Sequence, residues 1–176
     1  MSWGLVRAIV VLPGTVVVLI PAAILWASSR TKYAPVLAAP ADPSLWIALM
    51  LGGIGLSLGV WTVLLFKKFG EGTPAPWQPP NKLVIHGPYR HVRNPMITSV
   101  VVVLLAEAIF FQSWQIFLWA LFFLIGNMIY FPLVEEKGLE TRFGEDYRIY
   151  KANVPRWIPR LRGWPGPQDN EKCGRH

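Results

Sequence analysis

The 176-residue chain has the length of one compact domain. It is 53% hydrophobic and carries nine tryptophans, more apolar than a soluble domain usually is, which points to a membrane protein. A net charge of +7 does not make it a nucleic-acid binder, because the basic residues lie between and after apolar runs. One cysteine, Cys173, leaves no disulfide framework and no thiolate metal site.

Four apolar runs follow in order. The first, Leu5 to Ala27, exceeds the apolar core of a signal peptide, and Pro13 and Pro21 are expected to kink it without ending it. The second, Leu45 to Phe66, contains "GGIGLSLG". No strand-turn-helix context makes this a nucleotide loop; Gly55 and Gly59 instead form a small-xxx-small pair suited to close helix packing. The third run is Met96 to Phe111 and the fourth Trp114 to Val134. The two-residue break "QS" between them predicts a tight helical hairpin. A crossing helix needs about 20 residues, so the third run needs its flanks to span; its length also permits a buried or re-entrant helix, but the short break favours the hairpin.

The fold class expected is all-α: a polytopic membrane protein with about four transmembrane helices, a tight hairpin of the last two, and a cytosolic C-terminal helical segment. Four crossings put both termini and the 67–95 loop on one side, with fifteen of the 17 Lys and Arg residues. Only Arg30 and Lys32 lie opposite. The positive-inside rule makes the richer side cytosolic. Three segments result: two N-terminal spans over 1–66, a core over 67–162, and a flexible tail over 163–176.

Between the second and third runs the chain changes character. Pro74, Pro76, Pro79 and Pro80 exclude regular helix, and Trp77 suggests packing on the membrane surface or on the protein. Then comes "HGPYRHVRNPM", residues 86 to 96, the densest polar stretch in the chain. Asn94 reads as an N-cap and Pro95 as the first helical residue. The amide-rich start of the third run thus lies beside Arg90 and Arg93, where an anion or a lipid headgroup would be attracted. Because hairpin helices return to equal depth over equal lengths, position 95 lies opposite about position 130. Glu135 and Glu136 then emerge next to the polar stretch, about 100° apart around their helix. One reading is a ligand site; the other is an ion pair with Arg90 or Arg93 that pins the helix ends. Glu107 has a structural and a functional reading, and Asn127 either lines a cavity or joins helices. His86 and His91 do not make a metal ligand set.

Two blocks, "LVIHGPYRHVRNPM" and "EEKGLETRFGEDYRIYKANVPRWIP", together resemble the isoprenylcysteine carboxyl methyltransferase and phospholipid methyltransferase superfamily. The matching parts are Leu83-Val84, Gly87 and Tyr89, Arg93-Asn94-Pro95, Glu135-Glu136, Leu139, Phe143-Gly144, Tyr147 and Tyr150, and Val154-Pro155, over about residues 70 to 160. The resemblance implies an integral membrane methyltransferase that uses S-adenosylmethionine without a Rossmann domain. Its cofactor residues, carried over, are Asn81, Lys82, Leu83, Val84, Tyr89, Asn94, Pro95, Met96, Ile97 and Glu135. The implied partners are the lipid bilayer and a lipophilic or small-molecule methyl acceptor, with no nucleic acid and no metal; no catalytic side chain is singled out. The alternative is a non-enzymatic membrane scaffold or small transporter that keeps the fold. Asn94 and Ile97 depart from the histidine and tyrosine of the prenylcysteine enzymes. Phe131 stands where those enzymes carry a substrate-binding arginine, for which Arg90 or Arg156 could substitute from another direction.

Overall fold

The structure, a computed structural model, describes residues 13–70 and 82–166. The start of the first apolar run before residue 13, the proline-rich stretch with Trp77, Asn81 and Cys173 lie outside the described residues. Regular structure among the described residues is entirely helical. Helix α1 runs Thr15–Ser28 and α2 runs Pro43–Leu65, prolonged by a wide π turn to Gly70. After a short 3-10 turn, Gly87–Arg90, come α3, Pro95–Phe110, and α4, Trp114–Tyr130. A second π turn, Phe131–Glu135, leads into α5, Glu136–Asn153. Two stretches, Pro43–Gly70 and Trp114–Asn153, are long and apolar enough to cross a membrane, while α1 and α3 are shorter apolar helices.

Pro21 is accompanied by a local widening of its helix, as its place within the first run suggests. Pro21 has no amide hydrogen for the turn before it, and that turn is a π turn, Thr15–Leu19. A carbonyl of the same turn, that of Val16, accepts the indole N–H of Trp119 at 3.1 Å, tying α1 to α4.

Helices α2 and α3 meet through glycine. A Cβ added at Gly55 would sit 2.7 Å from Val103 Cγ2 and 3.1 Å from Ser99 O and Val103 N, and one at Gly59 would sit 3.2 Å from Ser99 Oγ. The small pair therefore lets the two backbones touch, as its spacing predicts. Gly55→Val is expected to force the helices apart at a cost of roughly 1–3 kcal/mol. The measurement is the thermal midpoint in detergent; Gly53→Ala, whose Cβ meets nothing within 4 Å, should leave it unchanged.

The α3/α4 hairpin turns at Phe111, Gln112 and Ser113, with Gln112 at φ +43. Ser113 caps α4 by accepting from the Ile116 amide. The orphan carbonyls at the end of α3 are met by the loop before α2, where Val36 N and Ala38 N donate to Phe111 O and Phe110 O. The expected hairpin is thus present, and the carbonyls at its turn are satisfied by backbone.

At the other end, Pro132 sits in the π turn that joins α4 to α5. Helix α5 is broken at Gly144, whose φ of 55 and ψ of −126 match the first central position of a type II′ turn. Lys151 Nζ reaches Glu136 at 3.2 Å and Glu140 at 2.7 Å. An unbroken helix would carry residues 136 and 151 about 22 Å apart, so the break turns the second half back over the first.

Beyond Asn153 the chain is irregular but firmly held. Arg93 N donates to Pro155 O, Arg160 N to His91 O and Trp164 N to Arg90 O, all within 2.8–3.0 Å. Trp164 is buried against Tyr150 and belongs to a core with Tyr147 and Val154. Trp164, in the segment expected to be a flexible tail, is thus packed, its ring lying 6.0 Å from that of Tyr150.

Candidate functional site

A cavity of about 360 Å³ opens where the start of α3, the π turn after α4 and the folded-back α5 converge. Most of the residues singled out by sequence line it: Lys82, Leu83, Val84, Tyr89, Asn94, Met96, Ile97 and Glu135. Pro95 does not; it is fully buried as the first residue of α3 and sets the wall from behind.

Asn94 departs from its expected role. Its backbone carbonyl accepts from the Thr98 amide and hydroxyl, but its side chain makes no cap bond. The residue is 9% exposed, and its Nδ2 is buried without a hydrogen-bond partner among the described residues. Arg93 Nε, next along the same wall, is likewise buried and unpartnered there. Two orphan donors at a cavity wall are costly unless something accepts from them.

The adjacent glutamates meet different surroundings. Glu136 turns away from the cavity and is 3% exposed. It accepts from Arg156 Nε at 2.6 Å and Arg156 Nη2 at 3.0 Å, and from Arg93 Nη1 at 3.0 Å, with Lys151 beside it. Burial alone would push its carboxyl up; Arg156, Arg93 and Lys151 together hold it below the ordinary range. Glu135 faces the cavity. Burial pushes its carboxyl up, and the Arg142 charge pulls partly the other way.

Tyr89 and Tyr150 close one side, joined by a 2.8 Å bond from the Tyr150 hydroxyl to Tyr89 O. Burial pushes both phenols well above their usual range, with Arg93 drawing Tyr150 partly back, so they act as neutral hydrogen-bonding groups. Phe131 lines the cavity and meets Trp157 edge-on at 6.2 Å. Arg142 also lines it and was missed by sequence reasoning. The signal was available: Arg142 follows Glu135 by seven positions, two turns along the same helical face.

Other candidates fall outside. Arg90 is spent on the C-terminal loop, its Nε donating to Trp164 O at 2.8 Å and its Nη2 to Pro165 O. His91 Nδ1 lies 2.8 Å from Arg160 O, and His86 stacks on Phe69 at 4.0 Å. Asn127 neither lines the cavity nor bridges helices through its amide; Nδ2 donates back to Phe123 O in its own helix, the local bond that short polar side chains favour. Glu107 sits near the far end of α3, away from the cavity, with Oε2 buried and unpartnered among the described residues.

A ligand suited to this cavity offers acceptors to Asn94, donors or positive charge to Glu135, and a flat or apolar body to the aromatic walls. A phospholipid methyltransferase family profile matches residues 43–146, from the start of α2 through the Gly144 break. No curated protein and no solved structure matches the chain. With more than half of its length matched, over the helices that build the cavity, the chain belongs to the phospholipid methyltransferase family, within the superfamily of integral membrane methyltransferases that includes the isoprenylcysteine carboxyl methyltransferases.

Proposed function

We propose that the protein is a multi-pass membrane enzyme that transfers a methyl group from S-adenosylmethionine to a lipophilic or small acceptor. Its four helical runs cross the bilayer and both termini face the cytosol. One observation carries the reading: Asn94 and Glu135, forty-one positions apart, bring a buried unpartnered donor and a carboxylate to the walls of one cavity.

These residues fit the cofactor's chemistry. Glu135 suits ribose hydroxyls or an ammonium, Asn94 suits a carboxylate or ring acceptor, and Leu83, Val84 and Ile97 offer apolar surface. When bound, S-adenosylmethionine supplies a methyl group activated by its sulfonium. The chain contributes alignment and the exclusion of water, which matter more here than a general acid or base. Tyr89 and Tyr150 hold the start of α3 against α5, and Phe131 with Trp157 keeps one wall apolar.

The test is equilibrium binding of S-adenosylmethionine to the detergent-purified protein. Glu135→Gln keeps the shape but removes the charge; losing a charge-assisted hydrogen bond costs about 1.5–3 kcal/mol, so affinity should fall by an order of magnitude or more. Unchanged affinity, with the fold intact, would remove Glu135 from the site. Absence of any binding by the unaltered protein would favour the scaffold or transporter alternative.

The acceptor is expected not to be a prenylcysteine carboxylate. A carboxylate in a cavity of low dielectric needs a cationic or multiply donating partner, and position 131 offers a phenyl ring. The two arginines that sequence offered as stand-ins are engaged elsewhere, Arg156 clamping Glu136 and Arg90 holding the C-terminal loop, while the two that line the cavity already face carboxylates of the chain, Arg93 that of Glu136 and Arg142 that of Glu135. With labelled S-adenosylmethionine, label should enter a total lipid extract and not farnesylcysteine analogues. Efficient labelling of the prenylcysteine carboxylate, unaffected by Phe131→Arg, is the contrary result.

A further inference from the structure

The irregular stretch after α5 carries two of the most exposed apolar side chains among the described residues, Ile158 at 80% and Leu161 at 99%. A lone exposed leucine needs no explanation. Here the surroundings supply one. The stretch is pinned by backbone bonds at Pro155, Arg160 and Trp164, so Ile158 and Leu161 stand out from a fixed loop on either side of the Arg160 anchor. Trp157 in the same loop packs on Phe131, just past the inner end of the last apolar helix, and the Arg160 anchor is the carbonyl of His91, just before α3. The tip therefore sits level with the helix ends, where the bilayer interface begins. Arg160 and Arg162, both exposed, flank Leu161. Apolar side chains beside arginines, with a tryptophan at the same level, match a headgroup layer with anionic phosphates.

We propose that the loop tip, residues 157–162, is a lipid-docking element that seats Ile158 and Leu161 in the interfacial layer of an anionic bilayer. Arg160 and Arg162 then lie at phosphate level, and Trp157 joins the membrane-facing end of the cavity wall at Phe131. The segment expected from sequence to be purely cytosolic thereby returns to the membrane. The inference rests on the proposed membrane reading but not on the proposed cofactor or acceptor.

The experiment uses the full chain in lipid bilayers of phosphatidylcholine, with and without phosphatidylglycerol. Cys173, the single cysteine, is replaced by serine, and nitroxide labels are placed one at a time through Ile158→Cys, Leu161→Cys, Glu145→Cys and Phe122→Cys. Phe122, 69% exposed in the middle of α4, reports the bilayer; Glu145, exposed on the second half of α5, reports water. Collision rates with oxygen and with a water-soluble nickel chelate give the depth of each label. Labels at 158 and 161 should favour oxygen, at a depth of roughly 5–10 Å below the headgroups. The shift should grow with phosphatidylglycerol and lose that increment in Arg162→Gln. Nickel-dominated collisions at 158 and 161, with the 122 label inside the bilayer, overturn the loop proposal alone. A 122 label that is itself in water overturns the membrane reading beneath it. Protection from both reagents signals a protein partner, a second copy included, and also overturns the lipid assignment.

Discussion

Glu136→Ala is expected to lower stability by about 3–5 kcal/mol, because it strips the shared carboxylate from three cations and leaves buried positive charge uncompensated. Arg93 contacts it with a side chain only 10% exposed, so the charge left behind has little water to turn to. The cost should appear as a large fall in the thermal midpoint in detergent. Glu136→Gln should recover part of it by keeping hydrogen-bond acceptance without charge. The pH dependence follows from the direction of the shift. A carboxyl held below its unfolded value contributes stability that is fully present above about pH 4.3 and is lost as pH falls through the folded value. The unaltered protein should therefore lose stability below about pH 4.3 more steeply than Glu136→Gln does. Equal acid sensitivity of the two proteins would show that the carboxylate is not the anchor its contacts describe.

Gly144→Val is the second large effect. A Cβ at 144 meets nothing within 4 Å, so the difficulty is conformation, not space. A β-branched residue at φ 55 and ψ −126 carries strain of roughly 1–3 kcal/mol, and the chain can relieve it by straightening α5. Straightening withdraws Tyr147 and Tyr150 from the cavity and Lys151 from Glu136. The variant should lose the S-adenosylmethionine binding proposed above along with its thermal midpoint. Gly126→Ala, in ordinary helix with open space at Cβ, should leave both unchanged. Retained binding in Gly144→Val would mean that the folded-back half of α5 is not part of the site.

The helical runs were readable because their apolar lengths and turn residues are local signals. Pro95 starts α3 and Trp114 starts α4 where the sequence suggests. The meeting of Asn94 with Glu135 was also readable, since a hairpin fixes depth by counting residues. What counting could not give was rotation. Which of Glu135 and Glu136 faces the cavity depends on the phase of the π turn at Pro132, and an added residue per turn is invisible in periodicity. Asn94 looked like a cap because asparagine is a preferred N-cap and proline suits the first helical position. Its side chain is taken up by the cavity wall instead, a tertiary effect that no neighbouring residue announces. The fold-back at Gly144 was hidden for a similar reason: one glycine in a polar helix is ordinary until the Lys151 contacts close across it. The burial of Trp164 depends on Tyr150 and the Arg90 backbone, partners too distant in sequence for any local pattern to link.

The pins that hold the start of α3 come from residues 155–165, up to 75 positions downstream of the groups they hold. Synthesis therefore separates two events that the finished fold presents as one. The apolar helices can enter a bilayer while the ribosome is still translating α5, but Arg90 and Arg93 cannot be locked until the stretch through Pro165 has left the exit tunnel. Until then the chain is an inserted protein whose cavity lacks its tyrosine side and its backbone anchors. A product terminated before residue 155 would lack both the backbone anchors of the start of α3 and the Arg156 contacts to Glu136, leaving that carboxylate to Arg93 and Lys151 alone.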